Sequence, residues 1–182
     1  MDINALNTAL QQRDWPRAAA LLAPVTKAPG AHPSLLFNHG KVALEMGQMA
    51  QAQALLRRAV QSAPQHQPAW FELGRAALAA GALPEACTAF GQALALAPSD
   101  GDARLNLGRI ALRLGRYALA QEAWQPLAGT PEADLALYRI AAETRSPNAP
   151  ALRQALLHSH PQPAAVLRTL VRVSQGAIPL RL

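Results

Sequence analysis

Apolar residues in this chain recur at the spacing of one helix face. Leu73, Phe90, Ala93 and Leu94 are examples, and their recurrence at three, four or seven residues is typical of amphipathic helices. Alanine and leucine supply most of the apolar volume, while aromatic residues make up only 4% of the sequence. This composition favours close-packed helices over a sheet, because strands prefer β-branched and aromatic residues. The pattern therefore predicts an all-α fold.

The helical pattern repeats every 34 residues. Small and large positions share this period, and prolines close two of the units at Pro64 and Pro98, with Pro131 one residue early in the next. The recurring positions are Gly40, Gly74 and Gly108; Gly47, Gly81 and Gly115; Ala18, Ala52, Ala86 and Ala120; and Leu22, Leu56, Phe90 and Trp124.

The best unit reads Trp70-x-x-Leu73-Gly74, then Ala86-x-x-x-Phe90, then Pro98. It resembles the tetratricopeptide repeat, a helix-turn-helix unit of 34 residues. Ala77 departs from the repeat, which has tyrosine at that position. The resemblance implies a right-handed α-solenoid of about nine to eleven helices, in which neighbouring units bury each other's apolar faces.

Within a unit, small residues are expected where the two helices cross. Gly74 is predicted to lie at the crossing, with Ala86 filling the facing position. Gly81 is placed to end the first helix, and Pro98 to stop the second.

The domain organisation follows from this register. Four repeats are predicted within 1–134, at about 1–32, 33–66, 67–100 and 101–134. A degenerate fifth hairpin is expected at 135–160. Residues 161–182 are expected to form a C-terminal capping helix, Pro163–Gln175, and a tail.

The composition narrows the class of protein. The single cysteine, Cys87, excludes an internal disulfide. The first residues lack the basic start and apolar core of a signal peptide, and the longest uncharged stretch is too short to span a bilayer. We therefore expect a soluble, cytoplasmic protein with no membrane insertion.

The net charge of +6 comes from fifteen arginines and two lysines against eleven acids. The surplus is greatest after Ser146, where the sequence contains no acid. A basic balance can indicate nucleic acid, an acidic partner or an anionic membrane surface. Nucleic acid is not expected, because aromatic stacking residues are few and no nucleic-acid motif is present.

The sequence contains no phosphate-binding loop, nucleophile motif or cysteine pair, so neither catalysis nor a cofactor is expected. His158 and His160 have no nearby carboxylate or thiol, and a zinc site needs three or four protein ligands; no metal is expected. His39 occupies the position of Leu73 and Leu107 in later units. It is interpreted as a histidine hydrogen-bonded across the hairpin, with a pH-sensitive contact as the alternative.

The resemblance implies that the first helix of each unit lines a concave, peptide-binding face. At the 34-residue offset, Ile3, Asn7 and Leu10 begin three rows. The later members are aromatic or aliphatic in the first row, basic in the second and leucine in the third. The rows define two apolar tracks beside one basic track. The predicted groove residues are Phe37, Lys41, Leu44, Phe71, Arg75, Leu78, Leu105, Arg109, Leu112 and Arg113.

Aligned like charges favour an anionic partner. The alternative, that arginine is simply this chain's usual solvated polar residue, stays open. Asn38 and Asn106 match an asparagine that, in the family, bonds backbone of the adjacent unit. The pattern of the chaperone-tail carboxylate clamp fits poorly in either register, since the third-unit positions hold Pro68 and Glu72, or Asp102 and Asn106, in place of basic residues.

The predicted function is a scaffold or adaptor that binds a protein or peptide segment, with an acidic segment favoured by the basic track. The alternative is the repeat region of a larger bacterial enzyme of glycosyltransferase, sulfotransferase, methyltransferase or hydroxylase type, in which the repeats recruit the substrate protein. Whether the natural reading frame continues past Leu182 distinguishes the two.

Overall fold

The computed structural model describes residues 2–174, and all regular structure in that range is helical, as predicted. Gln175, the last residue of the predicted capping helix, and the predicted tail after it lie outside the described residues. The helices are α1 Ile3–Gln11, α2 Trp15–Thr26, α3 Pro33–Glu45, α4 Met49–Ser62, α5 Gln67–Ala79, α6 Leu83–Leu96, α7 Gly101–Arg113, α8 Tyr117–Trp124, α9 Pro131–Glu143, α10 Ala149–Ser159 and α11 Pro163–Ser174, with a 3-10 turn at Gln125–Leu127.

The chain forms two compact units whose boundary falls between Ala103 and Arg104, inside α7. The repeat pattern does not predict this division, because the fourth repeat continues through it. In the first unit, α3 pairs with α4 and α5 with α6, and α4 packs on α5. In the second unit, α8, α10 and α11 all pack on α9.

A glycine on the first helix allows the second helix of the same hairpin to approach closely. A Cβ atom built at Gly74 would lie 2.9 Å from ring atoms of Phe90, and one at Gly40 would lie 2.6 Å from Cγ of Leu56. Phe90 and Leu56 are fully buried. The ring of Phe90, rather than Ala86, therefore lies against Gly74, which corrects the expected facing partner by one turn of helix α6.

The turn between the two helices requires a left-handed backbone. Gly81 has φ +75°, and Gly47 and Gly115 are similar. Arg13 occupies the matching position of the first hairpin with φ 55°. Since an L side chain costs about 1–2 kcal/mol in this region, the first turn is strained where the later turns are relaxed.

Side chains of α4 and α5 tie neighbouring hairpins of the first unit together. Arg58 donates to the backbone carbonyls of Thr26 and Ala28, at 2.7 and 2.6 Å. Gln67, at the start of α5, donates to the carboxylate of Asp100 at 2.7 Å. Because a helix leaves its last carbonyls unpaired, the guanidinium of Arg58 supplies donors that the end of α2 lacks.

His39 joins α2, α3 and α4 and is only 4% exposed. Its Nδ1 lies 2.7 Å from the hydroxyl of Thr26, which donates to the carbonyl of Leu22. Its Nε2 lies 3.3 Å from the amide nitrogen of Gln51. The consistent arrangement is a neutral imidazole that donates from Nδ1 and accepts at Nε2. The histidine is therefore hydrogen-bonded across the hairpin and also to the preceding one.

The last helix is packed rather than free, as expected of a cap. Val166 and Leu170 of α11 are buried together with Tyr138 of α9 and Leu156 of α10. One face of α11 therefore closes the apolar surface of α9 and α10.

The close approach at Gly74 predicts opposite effects at two helical glycines. Gly74→Ala should destabilise the protein by roughly 1–3 kcal/mol, because the new methyl meets the buried ring of Phe90. Gly91→Ala, where an added Cβ meets nothing within 4 Å, should stabilise α6 by roughly 0.5–1 kcal/mol. Urea denaturation measures both. Equal effects would show that Phe90 does not pack on the glycine.

Burial of His39 lowers the pKa of its imidazole below the usual value of 6.5. The folded state therefore favours the neutral ring, and this contribution to stability is complete above pH 6.5. It should be lost as the pH falls from there towards the lowered folded-state pKa. His39→Leu, which introduces the residue found at 73 and 107, should remove that part of the pH dependence. The difference in free energy of unfolding between wild type and variant, measured across this window, should change with pH; a constant difference would contradict the burial.

Candidate functional site

The predicted groove residues of the first unit lie on α3 and α5, and two of them share an acidic neighbour. Nζ of Lys41 lies 3.8 Å from Glu72, and Arg75 contacts the same carboxylate at 2.7 Å. Arg75 also lies 3.7 Å from Glu45. The side chain of Glu72 is only 10% exposed, whereas those of Lys41 and Arg75 are 47% and 42% exposed. The structure therefore brings the two cations to one place, where two acids balance them.

This network changes the electrostatic character of the predicted basic track. Two positive and two negative side chains meet, so their charges cancel locally while the cations keep accessible surface. Glu45 and Glu72 are not among the predicted groove residues. Helical spacing could have found both, because Glu45 is four residues after Lys41 and Glu72 is three before Arg75 on the same helices.

Aromatic rings flank the charged network on the two helices. The ring of Phe37 lies 4.9 Å from that of His66 between centroids, and Nζ of Lys41 lies 5.6 Å from its centroid. Phe71 instead contacts the core ring of Phe90, 5.5 Å away in an edge-on arrangement. Both phenylalanines are half-buried. The exposed part of Phe37 therefore lies next to Lys41. Phe71 is also partly exposed, but its ring packs against the core residue Phe90.

The predicted aliphatic positions differ in how much surface they expose. Leu44 and Leu112 are each only 8% exposed, so both belong mainly to the core of their hairpins. Leu78 and Leu105 are half-buried. The aliphatic contribution to a bound partner would therefore come from Leu78 in the first unit and Leu105 in the second.

A cavity of about 350 Å³ opens beside this network, between α1, α2 and α3. Polar lining comes from Arg13, Asn38, Lys41 and Glu45. Apolar lining comes from Leu10, Trp15 and Val42. Four of the seven lining residues are thus polar or charged, and the volume is near the lower end of the range for ligand pockets.

Asn38 does not fill the structural role that the family resemblance implied. Within residues 2–174, its side-chain amide makes no hydrogen bond, and it lines the 350 Å³ cavity instead. Arg13 reaches the same cavity from the strained turn before α2. Arg13 stands where later units have glycine, and nothing in its spacing identifies it as a cavity residue.

In the second unit, Arg109 forms a two-pronged ion pair with Glu132 of α9. Its Nε and a terminal nitrogen each lie 2.6 Å from a carboxylate oxygen. The hydrogen bond from Arg109 holds the pKa of the Glu132 carboxyl below its usual range. Arg113, one turn further along α7, is exposed. The predicted basic residues of this unit thus comprise a paired arginine and an exposed one.

A second cavity, of about 520 Å³, lies between α8, α9 and α10. Leu137, Ile140, Leu152 and Leu156 contribute apolar lining, and the surrounding side chains are mostly uncharged. No sequence pattern predicts this cavity, because it depends on how far α8 and α10 stand apart on α9.

The cysteine and histidine considered for reactivity or metal binding lie in buried or hydrogen-bonded positions. Cys87 is buried, at 2% exposure, and His160 contacts the carbonyl of Pro131 at 2.9 Å. Over residues 2–174, no group of three or more histidine, cysteine or acidic side chains is arranged to hold a metal ion. None of the helices in the same range is both long and apolar enough to cross a membrane.

Comparison with known proteins supports the repeat assignment. The tetratricopeptide repeat family matches residues 37–90 and 85–125. No curated protein matches the sequence.

Among solved structures, "Crystal structure of MamA" has 20% identity and a TM-score of 0.69, over 96% of this chain and 98% of that one. "First TPR of Spaghetti (RPAP3) bound to HSP90 peptide SRMEEVD" has 23% identity and a TM-score of 0.56, over 60% and 87%. The Arabidopsis OM64 TPR domain has 23% identity and a TM-score of 0.55, over 59% and 88%.

At these identities the likeness to solved structures is one of fold. The family match is evidence from the sequence itself, because its two segments cover the units in which the glycines and large apolar residues recur at 34 residues. The helical hairpins have the same period. Residues 37–125 of the chain thus consist of tetratricopeptide repeats.

Proposed function

We propose that this protein is a protein-interaction module whose first unit binds a peptide or helical segment along α1, α3 and α5. The observation that carries the proposal is the 350 Å³ cavity with Lys41 and Glu45 on its wall, next to the exposed part of Phe37. A cavity lined by both apolar and charged side chains suits an apolar side chain of a partner that has a charged group beside it.

The mixed charges of the site favour a specific kind of segment. Lys41 is about half exposed, and its contact with Glu72 is long, at 3.8 Å. Arg13 lines the same cavity. A carboxylate of the partner can therefore approach Lys41 and Arg13 while Arg75 stays paired with Glu72 at 2.7 Å. We infer that the segment carries an apolar anchor with an acidic residue nearby, rather than a long acidic run.

The partner differs from the peptide held by the RPAP3 structure. That protein is described as bound to an HSP90 peptide that ends in EEVD. This chain has Glu72 and Asp102 at positions where the family's carboxylate clamp has other residue types. Burying a terminal carboxylate against those acids would cost free energy, so we propose an internal segment of a partner protein.

Apolar contact should supply most of the affinity, since removal of apolar surface from water contributes about 25 cal/mol per Å². The charges should set orientation and association rate.

A selection from a random peptide display library, followed by titration of the selected peptides, tests the proposal. Lys41→Glu should weaken binding by about tenfold, or about 1.4 kcal/mol, because it places a third acid beside Glu45 and Glu72. Wild-type binding should weaken as salt rises. Fluorescence anisotropy measures both effects.

The matched control is Arg17→Glu, which makes the same change of charge on the exposed surface of α2. It should leave the affinity of the selected peptides unchanged. If the two variants weaken binding equally, only net charge matters and the groove is not the site. If neither weakens it, the partner binds elsewhere on the protein.

A further inference from the structure

The hairpin formed by α10 and α11 leaves large apolar side chains in solvent. Leu157, Leu167 and Val171 are 59%, 47% and 46% exposed. With Ile3, at 62%, they make up the exposed large hydrophobic residues of the described chain. A single exposed apolar residue needs no explanation. Here, however, three of the four lie on two consecutive helices.

Helix geometry places these three side chains on one side of the hairpin. Leu156 and Val166 pack in the same buried cluster. The turn between α10 and α11 is only three residues, 160–162, so the two helices run in opposite directions. A step of one residue turns the side chain by about 100°, and in two opposed helices whose starting residues face each other that step leads to the same side of the pair. Leu157 and Leu167, each one residue on, therefore project together.

Arginines share and border this surface. Arg153 is one turn before Leu157 on α10, and Val171 is one turn after Leu167 on α11. Arg168 directly follows Leu167, and Arg172 directly follows Val171 one turn later. All three arginines are exposed. No acidic residue occurs between 144 and 174. The surface thus combines exposed aliphatic side chains with arginines, and the segment 144–174 contains no acidic residue to balance their charge.

The charge restricts what can cover this surface. A second copy packed face to face would bring arginine against arginine, which is unfavourable. An anionic partner is complementary. The two cavities described above do not include Leu157, Leu167 or Val171: one is lined by α1, α2 and α3, and the other by different residues of α10, such as Leu152 and Ala155. The aliphatic side chains stand out from the hairpin, a shape that suits a deformable apolar layer under negative headgroups.

We propose that the Leu157–Leu167–Val171 surface of α10 and α11, with Arg153, Arg168 and Arg172, binds the surface of an anionic lipid bilayer. The arginines contact the headgroups, and the aliphatic side chains enter the boundary between headgroups and acyl chains. Binding is peripheral and reversible, because three side chains remove little apolar area from water. The proposal is independent of the peptide groove, which lies in the first unit.

Co-sedimentation of the full chain with lipid vesicles tests the proposal. The probes are vesicles of phosphatidylcholine alone and vesicles that also contain phosphatidylserine. The protein should bind the second kind, and binding should fall as salt screens the headgroups. It should bind phosphatidylcholine alone much less. Absence of salt-sensitive binding to the phosphatidylserine vesicles would overturn the proposal.

Two pairs of variants locate the surface. Arg168→Gln with Arg172→Gln should lower vesicle partitioning roughly thirtyfold at low salt, since each basic residue near an anionic surface contributes about one fivefold factor. The control pair, Arg17→Gln with Lys27→Gln, removes the same charge from α2 and the residue that follows it, and should have little effect. Equal losses in the two pairs would mean that only net charge matters and would overturn the assignment.

The apolar contribution has its own control. Leu167→Gln should lower partitioning by roughly three- to tenfold, whereas Ile3→Gln, at the most exposed apolar residue of the first unit, should not. All six positions are exposed, so the melting temperatures should stay close to wild type. If soluble polyglutamate binds equally well and is indifferent to Leu167→Gln, the partner is a soluble acidic chain and the membrane proposal fails.

Discussion

The contact between a glycine on one helix and a large buried side chain on the next is the constraint on which the repeated hairpins depend. At Gly74 and Gly40 no room exists for even one additional carbon, because the ring of Phe90 and the side chain of Leu56 fill the space. Close packing of this kind fixes the distance and rotation of the paired helices. The residues on the opposite side of α3 and α5 are then held at repeating positions. The candidate groove is therefore a by-product of how the hairpins close.

That geometry explains why a row of cations on successive helices does not produce a basic groove. Lys41 and Arg75 are one repeat apart and lie near enough to share Glu72. If the acid were absent, the two cations would raise the electrostatic energy of the folded state. Glu72 is almost buried, and its pairing with two cations satisfies the requirement that a buried charge have partners. Glu72 is thus explained by its contribution to the stability of the fold. The half-exposed side chains of Lys41 and Arg75 remain accessible to a partner.

Much of the fold could be predicted from the sequence, because each repeat contains its own signals. Glycine, alanine and proline at fixed offsets identify turns, crossings and helix ends, and the family resemblance supplies the arrangement. The partner of Gly74 was wrong by one turn, since Ala86 and Phe90 lie on the same face of α6 and only packing decides between them. The cavities could not be predicted, because each is lined by three consecutive helices whose separation depends on packing that the repeat pattern does not specify. Asn38 shows the limit of resemblance: the residue type matches the family, but its amide faces a cavity.

The guanidinium of Arg58 has a consequence for how the first unit comes apart. It bonds carbonyls at and beyond the end of α2, about thirty residues earlier in the chain. Fraying of that end exposes backbone groups whose only replacement partner is water, and it simultaneously releases a side chain of α4. In a repeat protein, such neighbour-to-neighbour links are the coupling that determines whether units melt singly or together. The hairpin of α1 and α2, whose own turn is strained at Arg13, is thus stabilised by the hairpin that follows it.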